Sequence, residues 1–124
     1  MEEKVENNTE VRPWGYFEIL FQSNERTIKK LVVKPNQRIS LQRHSLRDEF
    51  WFIENGKAIV TLGENEQVLI RGNYIMIPKG TLHRIWNFNR EEDLVLIEIA
   101  YGVFKEDDII RYQDDYNRGI NDGL

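Results

Sequence analysis

From Tyr16 to Ala100, nine short segments rich in Val, Ile, Leu and aromatic residues recur along this chain, and no other feature constrains its fold as tightly. They read YFEILF, IKKLVV, RISLQRH, EFWFI, AIVTLG, QVLI, YIMIP, HRIWNF and LVLIEIA. Each has strand length and the residue types that suit a pleated, half-buried surface. Between them lie SNE, KPN, ENG, GEN, RGN, PKG and FNREE, rich in the Gly, Pro and Asn that hairpins and tight turns require. Many short, evenly spaced strands predict an all-β sandwich or barrel, and closure removes the exposed edges on which strands aggregate. At 124 residues there is room for a single domain with one core, and none for a second catalytic domain.

The flanks divide the chain further. Met1 to Glu10 has no periodicity and predicts a solvated arm over 1–10, with the barrel running over 11–104. Residues 105–124 form a tail in which EDDIIRYQDDY sets Ile109, Ile110 and Tyr112 behind an acidic start, predicting a short C-terminal helix or docked segment that covers the barrel. Charged residues make up 31% and hydrophobic ones 40%, which is apolar enough to fold rather than stay disordered. The net charge is −4 and Lys and Arg are scattered, so no footprint for nucleic acid is present. The polar, acidic N-terminus is unlike a signal peptide and no apolar run approaches about 18 residues, so no membrane association and a cytoplasmic location are expected. With no cysteine, any metal site must use nitrogen and oxygen ligands.

Strand alternation groups the candidate ligands. Side chains two apart share a face, so Ser40, Gln42 and His44 face one way, as do Glu49, Trp51 and Ile53, and His83, Ile85 and Asn87. A neighbouring strand could bring Glu49 to His44, and the chain's two histidines then fit one site. Two outcomes satisfy such a cluster: a bound divalent metal, or a hydrogen-bonded polar network.

The spacing favours metal. Gln42, His44 and Glu49 precede a turn glycine, Gly56, and Gly72, Pro78, Gly80, His83 and Asn87 form a second cluster. These two clusters resemble the signature motifs of the cupin superfamily, with Gln42 in place of the first histidine. The resemblance implies a cupin fold, a double-stranded β-helix or jelly-roll barrel, with one divalent ion on Gln42, His44, Glu49 and His83. Zinc suits two imidazoles, a carboxylate and an amide best, and Mn, Fe, Co or Ni are compatible with the same mixed set.

A closer resemblance covers residues 11 to 118. RPWGYFEIL, IKKLVVKP, ISLQRH with Arg47 and EFW, IPKGTLHRIWN, and LIEIAYGVFKEDDIIRYQDDYNR are similar to the cupin domain of type II mannose-6-phosphate isomerases. That domain usually follows a mannose-1-phosphate guanylyltransferase domain, for which 124 residues leave no room, so guanylyl transfer is not expected of this chain. The resemblance implies interconversion of mannose 6-phosphate and fructose 6-phosphate. A metal would stabilise the charge that develops on the sugar oxygens as a proton moves between C1 and C2. With both histidines used as ligands, the base is a carboxylate, Lys, Tyr or bound water. Glu98 is first in line because Leu94, Leu96 and Glu98 alternate on one face. Lys30 and Arg111 complete the candidate catalytic set.

The phosphorylated sugar needs cations, and Arg12, Lys30, Arg47 and Arg84 are the candidate substrate-binding residues. Trp14, Trp51 and Trp86 could form a wall for the sugar ring, or belong to the core. The chain departs from the family after His44, where further histidines and EHW are usual and this chain has Ser45, Leu46, Arg47 and EFW. Asn36 and Asn117 stand where glycine is expected, and Asn tolerates positive φ. The leading expectation is a stand-alone, homodimeric isomerase. The alternatives are a non-catalytic sugar-phosphate or nucleotide-sugar binding cupin, and a metal-dependent oxygenase.

Overall fold

A computed structural model describes residues 9–102 and 108–118. Among them are eleven strands and no α-helix, so no helix there is long and apolar enough to cross a membrane. The strands are β1 (Thr9–Arg12), β2 (Gly15–Gln22), β3 (Arg26–Val33), β4 (Leu41–His44), β5 (Arg47–Asn55) and β6 (Lys57–Leu62). They continue with β7 (Asn65–Ile70), β8 (Tyr74–Ile77), β9 (His83–Trp86), β10 (Leu94–Gly102) and β11 (Ile109–Gln113). One sheet has the order β1-β2-β3-β10-β5-β8 and the other β11-β4-β9-β6-β7. Every pairing is antiparallel. All nine segments expected from the sequence are strands, β2 to β10.

Alternation decides what each sheet turns inward. Along β5, Arg47, Glu49, Trp51 and Ile53 are buried while Asp48, Phe50 and Phe52 between them are half-buried. Along β10 the buried row is Leu94, Leu96, Glu98 and Ala100. The interior is therefore graded. Ile53, Val60, Ile85, Leu94 and Leu96, all fully buried, fill one end, each stabilising the fold by about 1.5 to 3 kcal/mol through water exclusion. The inward positions further along the same strands are Glu49, His83 and Glu98, which makes the other end polar.

Two boundaries differ from expectation. Thr9 and Glu10 belong to β1, paired with Glu18 and Phe17, rather than to a free arm. Ile109 to Gln113 form a strand, not a helix: Ile109 pairs with His44 and Arg111 with Gln42. Without β11, strand β4 would end its sheet with bare N–H and C=O groups, and covering that edge outweighs a helical pattern this short. The remainder of the predicted arm and tail, residues 1–8, 103–107 and 119–124, lies outside the described residues. Asn36 and Asn117 do take left-handed conformations, with φ of 65° and 57°. In the RPWG segment Gly15 is required by contact, since a Cβ there would lie 2.0 Å from the Val32 carbonyl oxygen.

Candidate metal centre

Three strands deliver the ligands to one point. β4 ends on His44, β5 carries Glu49 as its third residue and β9 opens on His83. Donor atoms of these three side chains lie within 4.8 Å of one another, and all three residues are at most 4% exposed. Gln42 is the register partner of His83 across β4 and β9, so it borders the same point.

The hydrogen bonds fix which atoms are electron-rich. His83 Nδ1 lies 2.9 Å from the Thr81 carbonyl oxygen, which can only accept, so Nδ1 carries the proton and Nε2 a lone pair. That Nε2 is 3.5 Å from Glu49 Oε1, and neither atom has a hydrogen-bond partner although both are buried. His44 Nε2 receives Arg47 Nη2 at 3.2 Å and Gln42 Nε2 at 3.4 Å, so it too is a lone-pair nitrogen, 3.4 Å from Glu49 Oε2. His83 Nε2 and Glu49 Oε1 thus face each other without a proton between them, and a cation, which would displace the donors from His44 Nε2, is what such a pocket fits.

Electrostatics agree. Burial foremost, then the charge of Arg47 and the neighbouring His83, lowers His44 to about 2. Burial lowers His83 to about 4 against the opposing bond to Thr81. Both rings are thus neutral near pH 7, the form that binds metal. Burial and then Glu98 raise Glu49 while Arg47 opposes them; in a site without metal the carboxylate charge is costly, and a cation relieves that cost. Arg47 also braces the ligands, its Nε donating to Glu49 Oε2 at 2.9 Å. Gln42 Oε1 accepts from the Ser40 hydroxyl at 2.6 Å. A half-turn of the amide would present the oxygen to the centre and leave Ser40 as acceptor for the NH2 group.

Beside this centre lies a cavity of about 150 Å³ whose lining includes Gln42, His44, Arg47 and Glu98. Glu98, 6% exposed, accepts the indole N–H of Trp51 at 3.0 Å. Arg12 and Arg111 line the cavity as well. Lys30 does not: alternation turns it to the other face of β3, where it lies 3.7 Å from Glu18. The inward residue is its neighbour Lys29, register partner of Glu98 and part of the lining. Arg84 is also away from the lining, since its guanidinium donates to the Ile39 carbonyl and to Gln113, clamping the end of β11 onto the barrel. Of the tryptophans, Trp14 lines the cavity. Trp51 is fully buried in a T-shaped contact with His83, and Trp86 lies tilted against Phe88 with ring centroids 6.0 Å apart.

The sequence reading did not single out Lys29, Arg118 or Asp108. Parity with the buried Leu31 and Val33 is the signal that would have found Lys29. Asp108 accepts the backbone N–H groups of Ser45 and Leu46, holding the loop between His44 and Arg47. Arg118, which also lines the cavity, follows an irregular turn and no periodicity marks it.

Known proteins share this fold. Among solved structures, a cupin domain of Cnp3 from Schizosaccharomyces pombe superposes with a TM-score of 0.67 at 16% identity, over 70% of this chain and 64% of that one. The capsular polysaccharide assembling protein CapF from Staphylococcus aureus reaches 0.73 at 19% identity, over 82% and 31%. The shared feature is the cupin fold. In sequence, the xanthan biosynthesis protein XanB of Xanthomonas campestris pv. campestris is 38% identical over 108 residues, 86% of this chain and 23% of that protein. Mannose-1-phosphate guanylyltransferase 2 of Escherichia coli O157:H7 is 36% identical over 115 residues, 92% of this chain and 24% of that protein. The chain thus spans about a quarter of the length of these relatives. Residues 1–114 match the family described as mannose-6-phosphate isomerase C-terminal, a match that takes in every residue of the metal centre, and the chain belongs to that family.

Proposed function

We propose that the chain is a metal-dependent aldose-ketose isomerase that interconverts mannose 6-phosphate and fructose 6-phosphate. The observation that carries this reading is the position of Glu98: a buried carboxylate in a cavity that also touches Gln42 and His44 and whose lining includes the cations Arg12, Lys29, Arg47, Arg111 and Arg118 beside an apolar wall. Isomerisation needs a proton taken from C2 of the aldose and returned to C1, while the hydroxyl proton passes between O2 and O1. A single carboxylate beside the reacting carbons can accept and return the carbon-bound proton. The Trp51 N–H fixes one Glu98 oxygen, so the group acts from a set position.

His44, Glu49 and His83, with Gln42 beside them, would hold the ion, zinc first. When bound, it supplies Lewis-acid stabilisation of the charge on the sugar oxygens. Arg47 keeps Glu49 oriented through its Nε. Trp14, Phe17 and Leu31 in the lining give the sugar an apolar wall that excludes water.

The test is turnover of mannose 6-phosphate by the purified chain, followed by NMR, with zinc, manganese, cobalt, nickel and iron supplied in turn. Fructose 6-phosphate with at least one metal is the expected result. None with any metal would sink the isomerase, and binding without turnover would make the chain a sugar-phosphate receptor.

A further inference from the structure

The larger sheet is apolar on its outer face as well as its inner one. An antiparallel sheet with one face on the core ordinarily turns polar residues outward, but the outward rows of β5 and β10 include Phe50, Phe52, Val95, Ile97 and Ile99, all half-buried. Register carries this surface across five neighbouring strands, β8-β5-β10-β3-β2. At one level lie Met76, Phe50, Ile99, Ile28 and Phe21. At the next lie Tyr74, Phe52 and Ile97, followed by Lys30 and Glu18, which pair with each other at 3.7 Å. The Phe50 and Tyr74 rings meet diagonally across β5 and β8, with centroids 5.5 Å apart. On the far side of the first level stand Asp48, Tyr101 and Arg26. The outer ends of these rows are open: Tyr74 is 65% exposed, Phe21 50% and Met76 49%. A contiguous apolar surface of this kind marks an interaction site.

We propose that this face is an interface between two copies of the chain, stacked sheet on sheet about a two-fold axis that runs along β10. Strand order makes β10 the middle of the five. A two-fold axis there sets β5 opposite the other copy's β3 and β8 opposite its β2, and leaves each β10 facing its own image. Level by level, the opposed residues match. On the axis Ile97 meets Ile97 and Ile99 meets Ile99. Phe50 meets Ile28 and Met76 meets Phe21, so the first level is apolar throughout. At the second, Phe52 offers its ring face to the Lys30 ammonium, and the Tyr74 hydroxyl donates to the Glu18 carboxylate. At the third, Asp48 meets Arg26, and symmetry makes each of these pairs twice. Asp48 gives one oxygen to the Lys79 backbone N–H at 2.7 Å, leaving the other for a cation, and Arg26 is steadied 4.5 Å over the Tyr101 ring. Packed sheets cross at about 30°, which best preserves the pairs beside β10, and the Asp48 with Arg26 and Phe52 with Lys30 pairs are among them. The charges are what select a second copy: a surface shaped for an unrelated partner has no reason to complement its own image. Glu49 and Glu98 lie on the inward face of the same strands, so the contact does not use them.

Sedimentation equilibrium of the whole chain tests this, with circular dichroism to confirm folding of each variant. The wild-type chain should be dimeric at about 10 µM. Ile97→Lys sets two like charges against each other on the axis and should raise the dimer dissociation constant about a hundredfold or more. Val68→Lys adds the same charge to an exposed position on the smaller sheet and should change that constant by no more than about twofold. Arg26→Asp should weaken the dimer about tenfold, and combining it with Asp48→Arg should recover most of the loss, because the exchange restores opposite charges across the axis. If Ile97→Lys does not fold, the Arg26 and Asp48 variants decide. The interface is overturned if the wild-type chain stays monomeric, which would leave the face to a different partner, or if Ile97→Lys dimerises as wild type does. It is equally overturned if Val68→Lys weakens the dimer as much as Ile97→Lys, or if the folded double variant recovers nothing.

Discussion

His83 Nε2 and Glu49 Oε1 face each other at 3.5 Å with no proton donor to either, and that contact governs what single substitutions should do. Glu49→Gln keeps the volume and removes the charge, so it should weaken metal binding by about a hundredfold or more, at least what losing an outer partner costs. Competition with a chelating dye measures it. Arg47→Met removes the brace rather than a ligand and should cost about ten- to hundredfold in the same assay. Glu98→Gln separates binding from chemistry. Turnover should fall about 10²- to 10⁴-fold while metal affinity stays at the wild-type value, and persistence of turnover would exclude Glu98 as the proton carrier. Much of this site was legible residue by residue: strand parity alone grouped Gln42 with His44 and gave Glu49, His83 and Glu98 inward faces. Parity could not supply the tautomer of His83, which depends on a carbonyl brought up by the turn at Thr81.

At the scale of elements, β11 and the turn after it are the informative case. An acidic start and three apolar positions read equally well as a helix or a strand in so short a run, and the free edge of β4 settled the matter. The segment is then pinned by carboxylates. Burial raises Asp114, but the hydrogen bonds and charge of Arg118 and the bond from Tyr116 outweigh it and hold the carboxyl below its ordinary 3.8. The bond from Arg38 lowers Asp115 in the same direction. A carboxyl depressed in the folded state contributes stability above its unfolded pKa and loses that contribution as pH falls through the folded value. Backbone amides of Ile109 to Gln113 should therefore lose hydrogen-exchange protection as pH drops below about 4, relative to those of β10 and after correction for intrinsic exchange rates. Equal loss in both strands would show that Asp114 and Asp115 do not control docking. β1 escaped the sequence reading for a different reason: TEVR is a polar edge strand whose side chains, including the largely exposed Val11, carry no core pattern.

For the molecule as a whole, an interior apolar at one end and acceptor-rich at the other predicts that a bound metal would contribute to folding stability. An ion that binds only the native state adds about 2.7 kcal/mol when its free concentration is about 100 times Kd. Unfolding by urea with and without zinc should show a gain of that order, and a chelator should abolish it. His83→Ala should unfold at the same urea concentration whether zinc is present or not. If zinc changed nothing in the wild-type chain, the converging acceptors would be a polar network and not a metal site.

The sequence by itself determined β2 to β10, their inward rows and the grouping of the candidate ligands, because alternation along a strand is a local property that residue order writes directly. It also carried the family, through RPWG, the Gln42, His44 and Glu49 spacing, and the segment around His83. The tertiary structure alone decided which cations matter. Lys29 and Lys30 are chemically identical neighbours, and one lines the cavity while the other lies beside Glu18 on the outer face of the sheet. Arg84 became a clamp and Arg118 a wall residue because segments distant in sequence pack against them. Partners of that kind are set by how two sheets close on each other, which no single stretch of residues encodes.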